Sequence, residues 1–207
     1  MYSKSDILAI IVTYFPNRET IINSVQVLES QVAKIVIVNN SPDCCLKCII
    51  EGNNIEVIEN QSNKGIACAL NQGLAYALSH RYTLALTLDQ DTILNELAVD
   101  EMLKIINSNK HIVSVGASYK NNFLNKRSRY VEKDYLITSG NLFKVDVANM
   151  VGGYLDSLFI DSVDFDFSFR MKSNGNKLVL ANFATMKHEI GEPKRKKVFF
   201  FTIYFHD

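Results

Sequence analysis

Apolar residues recur along the first half of the chain in two rhythms. Ile7–Thr13 is continuous and β-branched, and Lys34–Asn39 repeats that pattern. Residues 54–59 alternate apolar and polar, and 82–88 and 111–115 are again mostly apolar. Short runs of this kind predict strands, and the unbroken ones predict strands covered on both faces. Between them, residues 19–31 place Ile21, Ile22, Val25 and Leu28 near helical spacing. Residues 65–79 are rich in Ala and Leu, and 95–108 predict a third helix.

Strand and helix alternate at the spacing of βαβ units, so the fold class is α/β. The expected architecture is an open, mainly parallel sheet with helices on both faces. Such sheets bind ligands beyond the carboxyl ends of their strands. Thr13-Tyr14, Asn39-Asn40, residues 61–64 and Asp89-Gln90-Asp91 all fall at predicted strand ends. Four polar clusters are therefore expected to meet in one crevice.

The second half is less regular. Residues 120–133 are polar and basic without a period, which predicts a loop or hairpin. Ser139-Gly140 and Gly152-Gly153 punctuate the next stretch, 161–173 read as a helix and 177–180 as a short strand. With no repeat and no Pro- or Ser-rich linker, one domain is expected over 1–192. Residues 1–116 would form its ligand-binding half, 117–192 its acceptor and catalytic half, and 193–207 a basic-aromatic tail.

Charge narrows the classes of function. The 22 basic residues balance the 22 acidic ones, so overall charge gives no attraction to nucleic acid. With 47% hydrophobic residues the chain is not of the disordered type. No apolar stretch reaches the roughly 18 residues of a membrane span, and the run after the polar N-terminus is too short for a leader. The expected compartment is a reducing cytoplasm, where four cysteines are ordinary thiols. Cys45-Leu-Lys-Cys48 has the spacing of a redox pair, but nothing around it supports that chemistry, and a structural zinc would want four ligands.

Two acidic constellations carry candidate chemistry. Asp89-Gln90-Asp91 follows an apolar strand, and an extended backbone aims its alternate side chains one way. Two carboxylates held together repel unless a cation or proton lies between them. A hard divalent ion that also takes phosphate oxygens is one solution, and capping of the next helix by Asp91 is the other. The second constellation is Asp161-Ser-Val-Asp164-Phe-Asp166, followed by Arg170. Asp161 and Asp164 would share one face of a helix, and Asp166 and Arg170 would pair on another. A carboxylate beside Phe159, Phe165 and Phe167 would be partly desolvated, as suits a general base. The alternative is an acidic first turn complementing the helix dipole. Asn63-Lys64-Gly65 opens a helix, as an anion site or as a simple cap. His188 follows a predicted strand, as a ligand or as an ordinary surface or hydrogen-bonded histidine.

Taken in order, these segments resemble the family-two glycosyltransferases, and most of all their rhamnosyltransferase branch. The segments are Ile11-Val-Thr-Tyr-Phe-Pro16, Ile37-Val-Asn-Asn-Ser41, Asn63-Lys-Gly-Ile-Ala67, Asn71-Gln-Gly73 and Leu88-Asp-Gln-Asp-Thr92. Ser139-Gly140, Gly152-Gly-Tyr-Leu-Asp156, Phe159-Ile-Asp-Ser-Val-Asp164, Arg170 and His188-Glu-Ile-Gly191 complete the set, over about residues 7 to 192.

The resemblance implies a GT-A fold and inverting transfer of a sugar from a nucleoside diphosphate, L-rhamnose from dTDP-rhamnose or another sugar on dTDP or UDP. It implies a saccharide or lipid-linked acceptor. Asp91 would bind Mg²⁺ or Mn²⁺, Asp89 the ribose or the metal's water shell, and His188 the metal or diphosphate. Thr13, Asn39, Asn63 and Gln90 would lie against the donor. Asp164 would be the base that deprotonates the acceptor, with Asp161 as second choice.

Two features depart from the family pattern. Asn39 stands where the family usually has Asp, although an amide still donates and accepts toward a pyrimidine edge. The chain ends at Asp207, short of the usual length. Its four basic residues, Lys194 to Lys197, followed by aromatics, suit a peripheral contact with the inner face of the cytoplasmic membrane, or the aromatics are an exposed apolar patch that would pack into a further helical region. Two other functions fit parts of the pattern. One is a truncated nucleotide-sugar-binding protein with little turnover. The other is a nucleotidyltransferase, which would want a Gly-rich basic loop where this chain has Thr13-Tyr-Phe-Pro-Asn-Arg18.

Overall fold

The computed structural model describes residues 1–119 and 128–187, and the backbone of 194–198 and 201–205. Strands β1 (Ile7–Thr13), β2 (Lys34–Asn39), β3 (Ile55–Glu59) and β4 (Leu84–Asp89) alternate with helices α1 (Arg18–Glu29) and α2 (Ile66–Ser79). There follow β5 (Ile93–Leu94), α3 (Ala98–Ile106), β6 (Ile112–Tyr119), β7 (Tyr130–Lys133), β8 (Asn141–Lys144) and α4 (Val145–Met150). Helix α5 (Val163–Met171) and the long strand β9 (Lys177–Lys187) complete the main body. Strands β10 (Lys194–Val198) and β11 (Phe201–Phe205) pair with each other as a separate antiparallel ribbon.

The main sheet runs β3-β2-β1-β4-β8-β6-β9-β5, with β7 also paired to β9. Its first four strands are parallel. Strand β8 is inserted antiparallel between β4 and β6, and β6 runs parallel to β9. Every residue of β1 is buried, which is why its sequence is apolar without alternation. Ile7, Ala9 and Ile11 face a core shared with α1 and α3. Leu8, Ile10 and Val12 face the opposite core, which α2, α4 and α5 cover. Helix α2 lies close because Gly73 stands against Ile10, where an added Cβ would come within 2.4 Å of a side-chain carbon.

The strands and helices expected from periodicity are all present, with shifted ends. In the main body, β5, β8 and α4 have no counterpart in that reading. Strand β8 has four residues, too few to show a period, and tertiary pairing makes it a strand. Its Asn141 accepts from the Ser114 hydroxyl at 2.5 Å, and its Lys144 donates to the Lys110 carbonyl at 2.8 Å. Strand β9 extends seven residues beyond the short strand expected over 177–180. Of the polar stretch 120–133, residues 120–127 lie outside the described residues, and 130–133 form β7.

Candidate active site

The carboxyl ends of β1, β2 and β3 are stitched together by side chains. Thr13 Oγ1 donates to Asn39 Oδ1 at 3.1 Å, and the Ser41 amide donates to the same oxygen at 3.1 Å. Asn39 Nδ2 donates to the Cys44 carbonyl at 2.7 Å and to Glu59 Oε2 at 2.6 Å. Those four bonds use the whole capacity of a primary amide, and Asn39 is completely buried. Its own edge is thus committed inside the protein, which corrects the expectation that it reads a pyrimidine directly. The group that reaches the surface here is Glu59. Its Oε1 accepts from the Leu46 and Lys47 amides at 2.7 and 3.1 Å. A cleft of about 430 Å³ opens beside it, lined by Ser41, Asp43, Cys44, Cys45, Glu59 and Asn60 among others. Glu59 is inconspicuous in the sequence because it reads as a polar member of an alternating strand. The parallel register pairs it with Asn39, and that pairing is what marks it out.

At the end of β1 the Tyr14 amide donates to Gln90 Oε1 at 2.7 Å, and the Phe15 amide donates to the Ser41 hydroxyl at 2.7 Å. The middle residue of the acidic triplet therefore braces the neighbouring loop. Both aromatic rings are largely exposed and meet edge to face, with centroids 4.7 Å apart. Asn40 donates to the Gly65 carbonyl at 3.1 Å, and Asn60 donates to Asn40 Oδ1 at 2.8 Å. Hydrogen bonds thus join three of the strand-end clusters to one another and to Asn60 and Gly65, which flank the fourth.

Asp89 closes β4, and its amide donates to the Ser139 hydroxyl at 3.1 Å. Burial pushes the Tyr119 phenol up, and the charges of Asp89 and Asp91 push it further, so both carboxylates act on one neighbourhood. Among the described residues no group of three or more His, Cys, Asp or Glu side chains could hold a metal ion. A Mg²⁺-type ion commonly takes only one or two carboxylates and completes its shell with phosphate and water. The Asp89–Asp91 pair fits such an ion. His188 lies outside the described residues.

The second constellation approaches from the opposite side. A cleft of about 260 Å³ is lined by Asp89, Tyr119, Ser139, Ile160, Val163 and Asp164 among others. Asp89 and Asp164 thus line one cleft although 75 residues separate them. Asp161 is exposed and does not line that cleft. The expectation that Asp161 and Asp164 share a helical face is corrected: α5 begins at Val163, and Ser162 is left-handed with φ of 62°. Asp166 and Arg170 pair as expected, and Arg170 Nη1 also donates to the Val151 and Gly153 carbonyls at 2.6 Å each.

The turn before α5 is clamped to the start of α2. The Phe159 carbonyl accepts from the Ile66 amide at 2.7 Å and the Ala67 amide at 3.3 Å. Gly65, at φ of 83°, leaves room that a Cβ would fill at 2.6 Å from the Phe159 ring. Asn63 Oδ1 accepts from the Gly65 amide at 2.9 Å, and Lys64 is exposed. The Asn cap expected here is absent, since Gly65 is the N-cap and makes no side-chain cap bond, and the Phe159 carbonyl takes the amides an anion would use.

Comparison with known proteins bears on this geometry. Residues 9–160 match the family described as Glycosyl transferase family 2. The chain is 27% identical over 212 residues to the dTDP-rhamnosyl transferase RfbF of Shigella flexneri, covering 93% of this chain and 72% of that protein. The mannosyltransferase PcManGT from Pyrobaculum calidifontis, solved with GDP-Man and Mn²⁺, superimposes with a TM-score of 0.76 at 14% identity. That match covers 92% of this chain and 58% of the other. GalNAc-T7, solved with UDP, GalNAc and Mn²⁺, gives 0.75 at 12% identity, over 88% of this chain and 43% of that one. The architecture is the GT-A fold.

Proposed function

The chain belongs to glycosyl transferase family 2, and on that footing we propose that it moves a sugar from a nucleoside diphosphate to an acceptor hydroxyl with inversion. The observation that carries this reading is the cleft of about 260 Å³ that Asp89 and Asp164 both line. The donor's diphosphate lies on the Asp89 and Asp91 side and the acceptor on the Asp164 side. The acceptor oxygen attacks the anomeric carbon as the bond to the diphosphate breaks. Asp164 takes the hydroxyl proton, and the nucleoside diphosphate leaves with the bonding electrons. A base positioned against the attacking oxygen is worth about 10²–10⁴ in rate. Asp161 is the second choice for this role. Asp89 and Asp91, with His188, would hold Mg²⁺ or Mn²⁺, which as a Lewis acid stabilises the charge gathering on the leaving diphosphate.

The cleft beside Glu59 takes the nucleoside. Tyr14 and Phe15 offer exposed rings against the base, while Thr13, Asn39, Asn63 and Gln90 fix the loops around it. The carboxylate of Glu59 suits a base carrying an imide N–H, as thymine and uracil do. Likeness to the rhamnosyl transferase supports dTDP-L-rhamnose as donor. The acceptor is a saccharide or a lipid-linked saccharide, and the tail over 193–207 contacts the membrane that carries it.

Thermal unfolding with dTDP-rhamnose, dTDP, UDP or GDP, each with and without Mn²⁺, tests the donor side, because a ligand of the folded state raises its apparent stability. The expected result is stabilisation by the dTDP ligands that requires Mn²⁺ and is lost in Asp91→Asn. Clear preference for UDP or GDP would overturn the donor assignment. Undiminished Mn²⁺-dependent stabilisation in Asp91→Asn would remove that residue from the site.

A further inference from the structure

Two cysteines stand at the rim of the Glu59 cleft. Cys45 and Cys48 are both exposed, and their sulfurs are 2.9 Å apart in a thiol–thiol hydrogen bond. They sit three residues apart on a tight turn. That turn is anchored from inside by Leu46, which is buried, and by the Ile49 and Ile50 amides, which donate to the Leu46 carbonyl at 2.9 and 3.0 Å. Because the turn points both thiols outward on the same side, the pair is preformed. Bridging them closes only a very short loop, which costs little chain entropy. Cys44 and Cys68 are half-buried and lack such a partner among the described contacts.

The same turn supports the nucleoside end of the site. Cys44 supplies the carbonyl that accepts from Asn39, while Leu46 and Lys47 supply the two amides on Glu59 Oε1. The residues between the two thiols therefore fix the carboxylate that faces the cleft. Cys45 itself lines that cleft.

We propose that Cys45 and Cys48 form a dithiol modification site, oxidised by low-molecular-weight disulfides to an intramolecular disulfide that stiffens the Glu59 cleft and tightens nucleotide binding. In the first step the Cys45 thiolate attacks the small disulfide, giving a mixed disulfide and releasing one small thiol. Cys48 then attacks the Cys45 sulfur and expels the second. The protein loses two hydrogens, and the oxidant leaves as two thiols. Either sulfur can donate the hydrogen bond between them, so the same balance holds with the two roles exchanged. Holding Leu46 and Lys47 against Glu59 before binding reduces the ordering that a nucleotide must otherwise impose.

The coupling to nucleotide rests on the nucleoside assignment of the Glu59 cleft made above; the disulfide does not. The test treats the whole chain with oxidised glutathione and maps its peptides by mass. The expected product lacks two hydrogens, bridges Cys45 to Cys48, and leaves Cys44 and Cys68 free to alkylate. Glutathione retained on a single cysteine, or no reaction, overturns the site. Calorimetry with dTDP and Mn²⁺ then compares the two forms. The expected result is several-fold tighter binding after oxidation, reversed by dithiothreitol. Cys48→Ser should hold the reduced-state affinity and lose the redox response. Equal or weaker binding after oxidation overturns the coupling. Failure of any nucleoside diphosphate to bind the reduced protein overturns the nucleoside assignment and the coupling with it, while peptide mass decides the disulfide independently.

Discussion

The two sides of the site are built by different means. On the β1–β4 side, parallel strands in register bring Thr13, Asn39, Glu59 and Asp89 to one edge, because parallel strands all finish at the same end of the sheet. On the other side the strands run both ways, and no shared edge exists. There Asp164 is delivered by a turn with two non-glycine residues of positive φ, Phe159 and Ser162, clamped to the start of α2. One wall is placed by topology and the other by a few local contacts. Side chains of the first wall should therefore tolerate change in their neighbours better than Asp164 does.

The sharpest way to break this comparison is at the proposed base. Asp164→Asn should lower transfer by about 10²–10⁴ while leaving dTDP affinity near that of the unaltered protein, read by a coupled transferase assay and by calorimetry. Asp161→Asn should leave both nearly unchanged. The reverse result would move the acceptor wall to the exposed side of the turn. A second test weighs the clamp. Gly65→Ala should destabilise the chain by about 1–3 kcal/mol, measured by urea unfolding, through both its positive φ and its contact with Phe159. Gly152→Ala carries the first penalty alone, since nothing lies within 4 Å of its added Cβ. The gap between the two variants isolates the Phe159 contact, and equal losses would show that the clamp adds nothing.

The smallest effect concerns the parallel wall. Asn39→Asp restores the family's usual residue but sets a carboxylate against Glu59, replacing a hydrogen bond by repulsion. The expected loss is about 1 kcal/mol at neutral pH. Repulsion raises the folded-state pKa of the carboxyl pair above its unfolded value, so the penalty is full at neutral pH. It fades as pH falls toward about 4, where the carboxyls protonate. Denaturation at pH 7 and pH 4.5 checks the sign; a penalty that grows in acid would mean that the two carboxylates do not share a proton-sensitive contact.

The sequence was legible where burial dictates it. The runs that became β1, β2 and β4 are apolar because helices cover both their faces, and the polar residues after them mark the site. Strand β8 escaped because four residues carry no period and its pairing partners lie far away in the chain. Glu59 escaped for another reason, since only the register against Asn39 separates it from an ordinary exposed glutamate. The distinction between Asp161 and Asp164 depends on the left-handed backbone at Ser162, and serine gives no sign of that conformation.

The bond from the Ile66 and Ala67 amides to the Phe159 carbonyl also gives the turn before α5 an internal reporter. Amide protons at the first turn of a helix ordinarily exchange quickly with water, since they have no carbonyl of their own helix to bind. Here they are sheltered for as long as the turn that carries Asp164 stays closed. Their rate of deuterium uptake measures the opening of a segment more than ninety residues away in sequence. Substrates that hold the turn shut should slow that uptake, and those that only fill the nucleoside end should leave it as it is.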